Sequence, residues 1–222
     1  MQPCLESVQH WAKTRGYAYQ LVGDEIFQLV PDWYLEKVAD KLPVATDYGR
    51  LVLMQLALAR GIETVLWFDA DVLIFDSTLT IQFDGTCAFG QEVWVQAHED
   101  TFAVRKNVHN AFCAFRQACP VLPFLLYTVE SLIRRVDPGH IAPQMAGPKL
   151  LTSLHSLCGF PLVPEVGALS PDVIKDICAG KGPALDLLRR KSLVKPKAAN
   201  LCASLINADQ ASRAISILLG ST

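Results

Sequence analysis

The sequence predicts an α/β fold, and three observations carry that expectation. Segments of helical spacing alternate with short apolar runs of strand character along 222 residues. Apolar residues make up 51% of the chain and charged residues 19%, with a mean hydropathy of +0.25. That is enough to bury a substantial core and too apolar for disorder. The run Thr64–Phe68 joins β-branched and aromatic residues and reads as a central parallel strand. No repeat, low-complexity tract or linker interrupts the chain, so residues 1–222 are expected to form a single domain.

Along the chain, residues 5–15 read as a helix ended by Gly16, and residues 18–21 as a strand. Residues 31–40 make a short helix with Pro31 at its first position. Thr46 or Asp47 can cap a third helix that runs to Arg60, with Gly61 just beyond its end. Its near-continuous Leu, Val and Met content fits burial against a sheet. In the second half, residues 86–89 and 93–96 read as strands, and 110–118 and 123–135 as helices. A loop over 137–147 leads into a helix opened by Pro148.

The net charge of −2 hides an asymmetry. Residues 1–100 carry a formal −9 and residues 101–222 a formal +7. Those totals exclude a nucleic-acid binder that depends on overall basicity, and no nucleic-acid partner is expected. No stretch reaches the roughly 18 apolar residues that span a bilayer, and Met1-Gln2-Pro3-Cys4 has no secretory pattern. Seven scattered cysteines without a C-x-x-C spacing fit a reduced, cytoplasmic location. Residues 181–197 hold Lys181, Arg189, Arg190, Lys191, Lys195 and Lys197 against one acid, Asp186. This run is either a solvated face or a contact with a nucleotide diphosphate or an anionic membrane surface, the latter a peripheral attachment.

The most informative stretch is Trp67-Phe68-Asp69-Ala70-Asp71, where an apolar strand runs straight into two carboxylates. In extended chain, residues two apart share a face, roughly 6.6 Å along the strand. The small Ala70 lets a ligand approach between them. Ligands bind at the carboxyl ends of strands in open α/β sheets. Two carboxylates there repel one another and are costly to desolvate unless a cation bridges them. Such hard oxygen donors suit Mg²⁺ or Mn²⁺ carrying a phosphate-bearing substrate, with Asp69 and Asp71 as ligands. A bare D-x-D is also common as a solvated loop.

Two enzyme families place D-x-D after such a strand. Haloacid-dehalogenase-like phosphatases use the first Asp as nucleophile and the second as general acid/base. They prefer Gly-Thr next, where this chain has Val72-Leu73. The better match is Ala45-Thr46-Asp47-Tyr48-Gly49-Arg50-Leu51, then Ala59-Arg60-Gly61, then Trp67-Phe68-Asp69-Ala70-Asp71. This pattern resembles GT-A glycosyltransferases with a DXD region, above all glycosyltransferase family 32 and related capsular or lipopolysaccharide sugar transferases. The resemblance is specific over residues 43–76. It runs more loosely through Asn107-Val108-His109-Asn110-Ala111-Phe112 and Ala146-Gly147-Pro148.

The resemblance implies a GT-A type fold, with a Rossmann-like mixed sheet flanked by helices. The family's first strand, which binds the nucleotide base, is not recognisable before the opening helix. It implies a metal-dependent enzyme that moves a sugar from a nucleotide-sugar donor to a hydroxyl acceptor on a glycan or polysaccharide, with retention. Asp71 would bind the metal directly, and Asp69 the ribose or a metal-bound water. Arg50 would reach the donor or the carboxylates, although an Asp47–Arg50 pair at helical spacing also fits a structural role. Asn110 would touch a sugar or cap a helix. Gly147 would offer backbone N–H groups at a helix start, to a phosphate or simply to helix initiation. His98-Glu99-Asp100 reads as an extra ligand or base, or as a solvated turn. The late His of related families is not recognisable, and Asn207 and Asp209 are the nearby polar residues. The alternatives are a phosphohydrolase with Asp69 as nucleophile and a non-catalytic sugar-nucleotide-binding remnant.

Overall fold

Helix α1 (Gln2–Arg15) buries Cys4, Val8, Trp11 and Ala12 along one stripe, and Gly16 ends it at φ 76°. The expected strand at 18–21 does not form. The Tyr17 N–H bonds back to the Ala12 carbonyl, and the Tyr17 ring stacks on Trp11 at 5.2 Å. The chain is thereby turned into a cap for α1. After Pro31 comes α2 (Asp32–Val38) and then α3 (Leu42–Ala59). Helix α3 starts earlier than Thr46, because Pro43 already occupies its first turn. Thr46 and Asp47 therefore lie inside the helix, where the Thr46 hydroxyl bonds back to the Leu42 carbonyl at 3.1 Å.

The computed structural model describes residues 1–220. It shows a mixed α/β fold, with a curled, half-barrel-like sheet flanked by helices. Strands β1 (Thr64–Phe68), β2 (Val72–Ile74), β3 (Cys87–His98) and β4 (Thr101–Arg116) come in succession. Strand β1 is not central and parallel. It pairs antiparallel with β4, Thr64 opposite Arg116 and Phe68 opposite Phe112, and ends a sheet of order β1-β4-β3-β5, where β5 is Leu162–Val163. From Val65 to Phe68 its side chains are apolar on both faces because both faces are partly covered. Val65 and Trp67 join the core under α3, and Leu66 and Phe68 the core under α1.

Residues 110–118, expected as a helix, are mostly β4. Ala111–Phe115 are buried on both faces between β1 and β3, and that burial overrides helix propensity. Strands β3 and β4 form one long hairpin with a register break. Phe89 faces Cys113, yet Gly90 faces His109, so β4 bulges over Asn110–Phe112.

Helix α4 (Val121–Arg135) follows, then α5 (Leu150–Cys158) after a π-helical turn over Met145–Lys149. Strand β5 (Leu162–Val163) adds parallel to β3. Strand β6 (Val166–Ala168), helices α6 (Pro171–Ala179) and α7 (Pro183–Lys191), strand β7 (Ala198–Asn200) and helix α8 (Ala208–Leu218) complete the chain. A second sheet has the order β2-β7-β6, with β2 antiparallel and β6 parallel to β7. Asn207 caps α8 through a reciprocal pair with Gln210. All seven cysteines are free. Among the described residues, no helix is long and apolar enough to cross a membrane.

Candidate functional site at the end of β1

Asp69 continues the β1 ladder by one rung, its N–H donating to the Ala111 carbonyl at 2.8 Å. Trp67, two residues back on the same side, donates its indole N–H to Asp69 Oδ1 at 2.6 Å. The guanidinium of Arg50 approaches that same oxygen at 3.0 Å. Arg50 is only 4% exposed and also meets Asp47 Oδ1 at 3.0 Å, one helical turn away on α3. Its Nη1 donates to the Asn110 carbonyl, which the β4 bulge turns toward α3. The Asn110 amide closes the ring by donating to Asp47 Oδ1 at 2.7 Å. Gly147 packs against this ring, and a Cβ there would lie 2.6 Å from both Asn110 Nδ2 and Asp47 Oδ2. Asp47, Arg50, Asp69, Asn110 and Gly147 thus meet in one place, although four separate segments carry them.

The network is largely closed on itself. Burial pushes the Asp47 carboxyl up to about 6, against the pull of Arg50 and the Asn110 hydrogen bond. Burial works against charge on Arg50, but Asp69 and Asp47 outweigh it and hold its pKa above the usual arginine value. Asp69 differs from its neighbours. Its side chain is 26% exposed, and Oδ2 makes no hydrogen bond to any described residue.

Asp71 has another job. Its Oδ1 accepts the Asn200 amide at 2.6 Å, its Oδ2 the Ala203 N–H at 3.1 Å, and its carbonyl the Leu201 N–H at 3.0 Å. It therefore latches the turn after β1 onto β7 and the loop that follows. Burial raises its carboxyl pKa, with the Ala203 N–H pulling the other way.

The expectation of Mn²⁺ or Mg²⁺ held by Asp69 and Asp71 is corrected here. Among the described residues, no group of three or more His, Cys, Asp or Glu is placed to hold a metal ion. Both Asp71 oxygens are engaged by donors of this chain, and Asp69 faces the Arg50 guanidinium. Arginine and amide groups meet the charge that a cation was expected to meet.

Asp71→Ala is expected to cost about 1–3 kcal/mol, because the Asn200 amide and the Ala203 N–H lose their acceptor. Urea unfolding measures this, and a variant as stable as the parent contradicts the latch.

Several polar groups near the site carry no signal in the sequence. Asn200 is one, since its contact with Asp71 spans most of the chain. His109 is buried, with Nε2 3.0 Å from the Val166 carbonyl and Nδ1 unpartnered. Burial lowers its pKa, against the pull of the Val166 carbonyl, and so disfavours the charged ring. Glu92 accepts the Asn107 amide at 2.7 Å across the hairpin. Glu99 and Asp100 form the exposed hairpin turn, and His98 is the last residue of β3, opposite Thr101. Searched against protein-family models and against curated proteins, the chain matches none.

Proposed function

We propose that this chain transfers a sugar from a nucleotide-sugar donor to a hydroxyl acceptor on a glycan or polysaccharide, within a GT-A type fold. Asp69 takes a hydroxyl of the donor. The observation that carries this reading is the division of labour within one carboxylate. Oδ1 is pinned by Trp67 and Arg50, while Oδ2 stands open at the partly exposed end of β1. A carboxylate held still in this way is a ready acceptor for sugar or ribose hydroxyls, with little orientation left to lose on binding. Further support comes from which segments meet. The D-x-x-R helix and the W-F-D-A-D strand that carry the family resemblance touch through Arg50 and Asp69. Retention of configuration asks for no separate carboxylate base, and neither Asp47 nor Asp71 is free to serve as one.

The reading is tested by nucleotide release from a panel of UDP- and GDP-sugars with hydroxyl acceptors. Asp69→Asn is expected to slow release at low donor concentration by about 10–10²-fold, the cost of losing a hydrogen bond from the donor to a charged group. Trapping with beryllium fluoride should leave Asp69 unmodified. An adduct on its carboxylate would overturn the transferase reading in favour of a phosphohydrolase that forms an aspartyl-phosphate.

A further inference from the structure

Helix α7 buries Ala184, Leu185 and Leu188 in the core that also holds Val93 and Val95 of β3. Its last turn therefore sends Arg189, Arg190 and Lys191 into solvent. The chain then turns through Leu193, which is 70% exposed, and Val194, which is 38% exposed, before Lys195. No acid lies between Asp186 and Lys197. Arg189 pairs with Asp186 at 3.5 Å, and among the described residues Arg190, Lys191 and Lys195 make no ion pair.

Leu193 leaves most of its surface in water and Val194 more than a third of its own, so these adjacent aliphatic side chains contribute little to the core. With unpaired cations on both sides, they match a surface that is anionic outside and apolar beneath. We infer that residues 189–197 dock the protein onto an anionic lipid bilayer, with Leu193 and Val194 entering the headgroup–acyl boundary and the cations resting on lipid phosphates and carboxylates. Each cation near such a surface strengthens binding about fivefold, and the apolar tip adds the insertion that distinguishes a bilayer from other polyanions. Residues 181–197 contain no aromatic side chain on which bases could stack, so a single-stranded nucleic acid would leave Leu193 and Val194 unused. Docking of this kind does not depend on the chemistry at Asp69.

The test is co-sedimentation with phosphatidylcholine vesicles, with and without phosphatidylserine, at low and raised salt. Binding is expected only with phosphatidylserine, weakening as salt rises. It should fall at least about tenfold in Leu193→Asp, and more than about 25-fold in the pair Lys191→Glu with Lys195→Glu, which removes two cations and adds two anions. All three positions are exposed, so thermal midpoints should stay unchanged. Absence of binding, or binding indifferent to these substitutions, overturns the inference. So does loss on charge reversal with Leu193→Asp unaffected, which would mark a purely electrostatic anion surface such as one for RNA.

Discussion

Arg50→Ala is expected to lose about 3–5 kcal/mol of stability, the range for breaking a buried ion pair from one side. One guanidinium answers the Asp47 carboxylate, the Asp69 carboxylate and the Asn110 carbonyl together. Removing it leaves Asp47 buried with an amide as its remaining partner. The folded-state pKa of Asp47, already raised to about 6, then climbs further above its unfolded value. A group of that kind binds its proton more tightly when folded, so the variant should recover part of the loss as pH falls from neutrality toward the unfolded carboxylate pKa. Arg50→Lys keeps the charge but loses the planar fork, and it should also fall well below the parent. Urea unfolding at two pH values reads both effects. A loss under about 1 kcal/mol for Arg50→Ala would place the network on the surface, where ion pairs contribute little.

Gly147→Ala is expected to cost about 2–3 kcal/mol, in the upper range for forcing a methyl group into a packed site. The added carbon would meet Asn110 Nδ2 and Asp47 Oδ2, each at 2.6 Å. Neither can retreat without opening the ring around Arg50. A control lies close by in the sequence. A Cβ at Gly139 would meet nothing within 4 Å, and Gly139→Ala should be silent in stability. Equal stability of the two variants would contradict the close packing at Gly147.

Part of this site is legible in the sequence because its signals are local. Asp47 and Arg50 sit three apart on a helix, and a lone guanidinium in an apolar helix needs partners. Asp69 follows an apolar strand, which places it at a strand end. The sequence misleads about the fold where two periodicities coincide. Asn110-Ala111-Phe112-Cys113-Ala114-Phe115 satisfies a helix or a doubly covered strand, and pairing with both β1 and β3 decides for the strand. The direction and edge position of β1 are equally invisible, since burial on both faces reads the same for parallel and antiparallel strands. The metal expectation fails for a related reason. Two neighbouring carboxylates announce that a counter-charge is needed, and Arg50 is legible as one that could reach them, but nothing announces that Asn200 and the Ala203 N–H will satisfy Asp71 from a distant segment.

Nucleotide-sugar binding by EDTA-treated protein, followed by saturation-transfer NMR and thermal shift on the parent and Asp69→Asn, is the most direct measurement. A UDP- or GDP-sugar is expected to bind the parent without added metal and to raise its thermal midpoint by mass action. The sugar or ribose protons should receive the saturation, and both signals should be lost in Asp69→Asn at temperatures where that variant is still folded, its unliganded midpoint lying below the parent's because Arg50 loses one of its two carboxylates. Binding that is equally strong in Asp69→Asn, binding that appears only with Mn²⁺, or silence across the whole panel would contradict a sugar-nucleotide site built on the open oxygen of Asp69.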